Sequence, residues 1–350
     1  MKLYDLINRL DSIVPEETQE SWDNSGIQIN CGNREIRRTL VALEITFEVI
    51  EEAVREKADM IITHHPLIFT GLKSVDADEV RGRYIIDLIN NGISVYSLHT
   101  NFDKAPGGNN DYIANILDLD EIYPLIIDGC DDEITRTGYC RQTSLLELAH
   151  TLADGLGIDR SFVTITGEPD TPVSKVGICS GAGSEYIEPA MKNGCDVFVT
   201  GDVKYHEAIN AREMGMCVID AGHFGTERIF ADAFTELMES QMQNMYKVAR
   251  SILSRDEDVA DAISDTILVC WEKIDTLKKN RFFRTWMTRI LINKCNDILR
   301  AGQRTVFTDE PLEIEYMENE FLNLEWILKG SNESQKFDIN KEFGNTGVKL

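Results

Sequence analysis

Four short apolar runs end directly in histidines and carboxylates, and this repeated arrangement restricts the chain to folds that gather strand ends at one place. MIIT precedes His64 and His65, ISVYSL precedes His99 and Asp103, DVFVT precedes Asp202 and His206, and MCVID precedes His223 and Glu227. Strands are expected at 39–43, 60–63, 93–98, 176–179, 196–200 and 216–220. Helical spacing of apolar residues lies between them, near 48–57, 80–90, 145–156, 185–192 and 205–214. Such alternation predicts an α/β fold. An acidic turn at 128–133 is read as the boundary between two lobes.

The donor set decides which chemistry this arrangement suits. Ligands collect beyond the carboxyl ends of strands in α/β sheets. A lone histidine at a strand end is usually a satisfied structural residue, but four such motifs in one sheet system form a constellation. Imidazoles and carboxylates without thiolates suit Zn, Fe, Mn or Ni, so two divalent metal ions per chain are expected. In an extended segment His64 and His65 point in opposite directions, so each can serve a different ion. His223 and Glu227, four apart, share a helix face, which lets Glu227 bridge the ions while His223 takes one and Asp103 the other. Two neighbouring cations activate a shared water and hold an electrophile against it. His150, inside the amphipathic run SLLELAHTLADGLG, reads as structural, and Cys31, Cys179, Cys195 and Cys217 read as small core residues. The Gly-rich turn SGAGSEY (180–186) could offer backbone N–H groups to an anion, and Trp22, Asp23 and Asn24 in SWDNSGIQI could line a substrate wall.

These motifs, SWDNSGIQI, THHPLIF, SLHTNFD, GDVKYHE and DAGHFGTE in that order, resemble the Nif-three-like family of dinuclear-metal proteins, often labelled type 2 GTP cyclohydrolase I homologues. The likeness covers residues 1–240. It implies that His64, Asp103 and Glu227 hold one metal and His65, His223 and Glu227 the other. His99, Asp202 and His206 become orienting or acid–base candidates, and the assembly implied is a toroidal homo-hexamer. The activity implied is hydrolytic opening of a guanine ring with formate release on a small-molecule substrate, with a metal chaperone or storage role as the competing class. Members of the family usually end in a further β-strand segment. Here the helix after DAGHFGTE runs on into NMYKVARSIL, so the first module is read as lacking that edge strand.

Charge divides the chain at about the same point. Residues 1–240 hold 42 acids against 19 Lys and Arg, whereas residues 241–350 hold 18 against 16. Most of the net charge of −25 therefore lies in the first part, which argues against nucleic acid as its partner. A second, all-α helical module is expected at 241–304, with helices at 242–253, 257–274 and 282–299. The run 245–304 looks like region 2 of an extracytoplasmic-function sigma factor of the sigma-70 type. That resemblance implies RNA polymerase core and promoter DNA as partners and a role in transcription initiation. Arg281, Arg284, Arg289, Lys294 and Arg300 would meet phosphates and Asn293 a base. Trp271, Phe283 and Trp286 read as core residues of the helices. Nothing after Arg304 resembles a helix-turn-helix, and 305–350 is read as an acidic, poorly ordered tail. No apolar stretch reaches the roughly 18–20 residues of a membrane span, the N-terminus reads as an amphipathic helix rather than a signal peptide, and a cytoplasmic location with reduced cysteines is expected.

Overall fold

The computed structural model describes residues 1–273, 283–304, 325–329 and 334–337. The first lobe runs α1 (Leu3–Ile13), β1 (Gly26–Ile29), β2 (Arg38–Ala42), α2 (Phe47–Arg55), β3 (Met60–Thr63), α3 (Val80–Asn91), β4 (Ser94–Ser97), α4 (Thr100–Lys104) and α5 (Asn109–Ile116). Strands β2, β3 and β4 are parallel neighbours, and β1 closes one edge antiparallel to β4. Because successive strand residues face opposite sides, each strand feeds two cores. Met60, Ile62, Val41 and Tyr96 pack to one side; Leu40, Ile61 and Val95 pack to the other, under α2 and α3. Burial on both faces explains why these strands read as continuous apolar runs.

The second lobe holds β5 (Asp120–Ile127), β6 (Cys130–Ser144), α6 (Leu145–Leu156), β7 (Thr164–Thr166), β8 (Pro172–Ile178), α7 (Ile187–Lys192), β9 (Val197–Thr200), α8 (Tyr205–Met214), β10 (Cys217–Asp220) and α9 (His223–Glu227). Its sheet order is β5-β6-β8-β9-β10-β7, with β8, β9 and β10 parallel. The inner faces of both sheets share one apolar cluster, which includes Val176, Ile178, Val197, Val199 and Ile219. Cys179 and Cys195 pack in the outer core of the second lobe and Cys217 in the shared one, as small core residues would.

The acidic turn at 128–133 does not divide the lobes. Asp128 and Gly129 both have positive φ, 51° and 81°, and join Ile127 to its partner Cys130 in a two-residue hairpin. Asp-Gly is the favoured dipeptide for such a turn, so the segment lies inside the second sheet and the passage between sheets falls before Asp120.

The C-terminal part departs further from expectation. One continuous helix, α10 (Phe230–Ile252), starts on the shared core through Phe230 and Phe234 and ends against α11 (Asp256–Lys273) and α12 (Phe283–Arg304). Met245, Ala249, Leu253, Val259, Ala262, Ile263, Leu291 and Cys295 form the cluster among these three helices. After them the chain returns: β11 (Glu325–Lys329) pairs parallel with β2, with Ile327 opposite Leu40, and β12 (Ser334–Phe337) pairs antiparallel with β11. The first sheet therefore has six strands in the order β1-β4-β3-β2-β11-β12. Two corrections follow. The edge strand read as missing is supplied from beyond α12, and 305–350 is not a uniform tail. The three helices are bracketed between two elements of the α/β unit. Strand signals in EWILK and SQKF are four or five residues long, too short for periodicity to separate from an acidic, polar background. Among the described residues, no helix is long and apolar enough to cross a membrane.

Candidate metal centre

The site is assembled from the carboxyl ends of strands in both sheets. β3 ends at Thr63 and delivers His64 and His65; neighbouring β4 ends at Ser97 and delivers His99, with Asp103 in the short helix that follows. In the other sheet β10 ends at Asp220 and Gly222 leads into α9, which carries His223 and Glu227 one turn apart. His64 is completely buried, and Asp103 and Glu227 are nearly so.

The two oxygens of Glu227 divide the cluster. Oε1 lies 3.6 Å from His64 Nε2, while Oε2 lies 2.7 Å from His65 Nε2 and 3.0 Å from His223 Nε2. Asp103 Oδ1 stands 3.7 Å from His64 Nε2. Two donor triads result, His64–Asp103–Glu227 and His65–His223–Glu227, each with its ligand atoms within 4.8 Å of one another. The histidine pair does not splay apart as an extended dipeptide would. Its rings sit 5.4 Å apart and straddle the one carboxylate.

Outer contacts fix which nitrogen each ring presents. His64 Nδ1 lies 2.7 Å from the Leu98 carbonyl, which only accepts, so Nδ1 carries a proton and Nε2 is the nitrogen turned to the two carboxylates. Asp202 Oδ2 holds His223 Nδ1 at 2.9 Å in the same manner. The Nε2 atoms of His65 and His223 face each other at 3.3 Å. Without metal these close approaches are bridged by protons on the ring nitrogens; a cation among the same Nε2 and carboxylate atoms would replace those protons, so this donor set fits metal ions. Asn109 Nδ2 donates to Asp103 Oδ1 at 3.1 Å, and its own Oδ1 is buried without a partner among the described residues.

Protons feel the same field. Burial opposes charge on His64, but Asp103 and Glu227 pull it up to about 9. The hydrogen bond to Glu227 lifts His223 to about 9 against its burial. Burial works against charge on Glu227 too, yet His64 and the hydrogen bonds of all three rings hold it well below the carboxylate range. For Asp103 burial prevails and pushes it up.

The remaining candidates separate. His99 joins His64 and His65 in a third group of close donor atoms, and its Nδ1 lies 2.7 Å from Asp23 Oδ1. Asp23 is held well below its ordinary range: burial opposes its charge, but His99 and Thr100 outweigh that. Asp202 acts on His223 as an orienting partner. His206 sits on the exposed side of α8 against the Tyr205 ring and belongs to none of the donor groups, so the structure does not bring it to the cluster as an acid–base group. In the SGAGSEY turn the N–H groups of Ser180, Gly181 and Gly183 are spent internally, on Asn110, Thr226 and Thr200. The turn also lies close against the cluster, since a Cβ on Gly181 would lie 2.4 Å from Glu227 Oε1. Asn109 escaped sequence reading, because an Asn after Gly-Gly signals only a helix start.

On α12, Arg289, Asn293 and Arg300 are exposed and share a face by helical spacing. Arg300 pairs with Asp297 and Lys294 with Asp265, both at 3.1 Å. Arg281 lies outside the described residues, as does the side chain of Arg284.

Comparison with known proteins agrees with this division. The Duf34/NIF3 (NGG1p interacting factor 3) profile matches residues 1–258, and the Sigma-70 region 2 profile matches residues 237–305. A "GTP cyclohydrolase 1 type 2 homolog" of Clostridium perfringens is 35% identical over 230 residues, 65% of this chain and 87% of that protein. A "GTP cyclohydrolase 1 type 2" of Helicobacter pylori is 33% identical over 243 residues, 68% of this chain and 91% of that protein. Among solved structures, Staphylococcus aureus hypothetical protein SA1388 superposes with a TM-score of 0.64 at 30% identity, covering 69% of this chain and 91% of that one.

Proposed function

The chain belongs to the Duf34/NIF3 family, and from that membership we propose that it binds two divalent metal ions per chain and acts as a metal-dependent hydrolase on a small-molecule substrate, with GTP as the first to test. One observation carries the reading: Glu227 turns one oxygen to each of two histidine-bearing triads. His64, Asp103 and Glu227 would hold one ion; His65, His223 and Glu227 would hold the other. Ions held so would supply Lewis acidity and an activated water.

The chain's own groups account for the rest. Leu98 and Asp202 fix the imidazole tautomers, so no ring rotation is needed on binding. His65 and His223 are partly exposed while His64 is closed off, which gives the second triad the open side where a substrate arrives. His99, oriented by Asp23, would hold or pass a proton at its Nε2 beside the cluster. Metal-loaded protein incubated with GTP should release formate in proportion to GTP consumed. Retention of about two ions per chain with no formate would instead support metal delivery or storage.

A second activity is favoured by the Sigma-70 region 2 match over 237–305. In this reading α11 docks RNA polymerase core, and the exposed face of α12 with Arg289, Asn293 and Arg300 meets promoter DNA. Co-purification of core polymerase with the full chain tests it, and loss of no enzyme from the flow-through removes it. The implied hexamer is tested by the mass of the particle in solution.

A further inference from the structure

Large aromatic side chains are normally covered, yet Trp22 is 58% exposed and Phe69 43% exposed. They come from different loops and still meet, with ring centroids 6.0 Å apart and planes at 56°. Each also meets His99, at 6.2 Å and nearly edge-on, 78° for Trp22 and 88° for Phe69. On its other side His99 packs against His64 and His65, with centroids 5.1 and 5.9 Å away. Three mutually tilted rings thus form an open corner that shares one imidazole with the donor cluster.

The corner is held rigidly. Asn24 Nδ2 donates to the Ile68 carbonyl at 2.5 Å, Ile68 N–H donates to Gln28 Oε1 at 3.0 Å, and Gln28 Nε2 donates to the Asn24 carbonyl at 2.7 Å. These bonds tie the loop of Trp22 to the loop of Phe69. Asp23, next to Trp22, accepts from His99, Thr100, Ser25 and the Asn24 backbone, and its side chain is fully buried. It therefore offers no free anion to draw a cation into the corner. Ring faces fixed in water beside a reactive cluster leave apolar area uncovered, and a flat ligand relieves that by stacking on one ring and meeting another by its edge.

We infer that Trp22 and Phe69 form a platform for a planar heteroaromatic ring, holding such a substrate against the donor cluster across His99. The inference deepens the hydrolase reading by naming the residues that position the substrate's ring, and it rests on that reading for the place of chemistry. Trp22 and Phe69 are positioning residues; neither supplies a proton or a metal ligand.

Guanosine, a flat ring without phosphate, is the probe, titrated calorimetrically into the metal-loaded full chain and into Trp22→Ala, Trp22→Phe and Phe69→Ala. Trp22→Ala should weaken guanosine roughly 5- to 150-fold, the range for losing one stacked base. Trp22→Phe should recover most of the affinity, and metal content should match the parent in every variant. The platform is overturned if both alanine variants bind guanosine like the parent, or if the parent binds none at millimolar concentration. It is also overturned if Trp22→Ala changes particle mass, which would make the corner an interface between copies. Trp22-dependent guanosine binding with no formate from GTP would leave the platform standing and remove the hydrolase reading. Formate release with unchanged KM in Trp22→Ala would do the reverse.

Discussion

Replacing Glu227 with Gln tests the centre most directly, because the substitution keeps the volume and removes only the charge and one acceptor oxygen. Glu227 Oε2 lies 2.7 and 3.0 Å from two Nε2 atoms, and Oε1 lies 3.6 Å from a third, so one change reaches both triads. Loss of an orienting partner outside a metal's ligand shell typically costs about 10- to 100-fold in affinity. A shared ligand should cost at least that at each ion. Gel-filtered protein, measured by elemental analysis, should fall from about two ions per chain to fewer than one, and chelator competition should show both sites weakened. Metal-free protein gives an independent reading. The rise of His64 from 6.5 to about 9, the net of burial, which opposes its charge, and of Asp103 and Glu227, which favour it, corresponds to about 3 kcal/mol. A group raised on folding stabilises fully below its unfolded value of 6.5, and the contribution fades as pH climbs through about 9. Chemical denaturation of the metal-free parent should therefore lose stability across that window, and Glu227→Gln should flatten the dependence. Unchanged metal content together with an unchanged pH profile would refute the bridging role.

Metal binding at pH 7.5 should expel about two protons per chain, since His64 and His223 both stand at about 9 without metal; calorimetry in buffers of different ionisation enthalpy reads this, and a slope near zero would contradict it. Asp202→Asn weakens the acceptor of His223 Nδ1 and should lower affinity roughly 10- to 100-fold at the more exposed ion while sparing the one on His64; equal loss at both would be unexpected. Gly181→Ala places a Cβ 2.4 Å from Glu227 Oε1 at a φ of +66°, so it should cost about 1–3 kcal/mol and reduce metal content together; thermal melts and elemental analysis check the pair. Ile327→Pro removes a backbone donor from the strand paired with β2 and should lower Tm and hydrogen-exchange protection at Leu40 and Val41; intact protection there would mean that β11 is dispensable to the sheet.

The position of α11 and α12 between α10 and β11 changes how the two matched regions relate. A module appended to a finished unit contributes nothing to that unit's sheet, whereas here the chain passes through α11 and α12 before completing it. α10 belongs to both parts: Phe230 lies 5.2 Å from the His64 ring, and Met245 and Ala249, more than three turns on, lie in the helical cluster.

Elements whose physics is local were legible in the residues alone. Runs such as MIIT and MCVID could only be short buried strands, and residues placed directly after them had to sit at strand ends. The i, i+4 spacing alone put His223 and Glu227 on one helix face. Tertiary structure decided what depends on atoms far apart in the chain. Local spacing suggested that His64 and His65 diverge, but packing of two sheets turned both rings toward one carboxylate more than 160 residues away. His206 carried the same motif signal as His99, yet the first turn of α8 points it to solvent while β4 delivers His99 to the cluster. Asp128–Gly129 looked like a boundary because polarity marks any turn, and only pairing partners reveal whether the flanking strands join one sheet or two. The return of β11 to β2 was invisible for the same reason: a strand of five residues has too few side chains to announce its face, and its backbone bonds exist only once the neighbouring edge is in place.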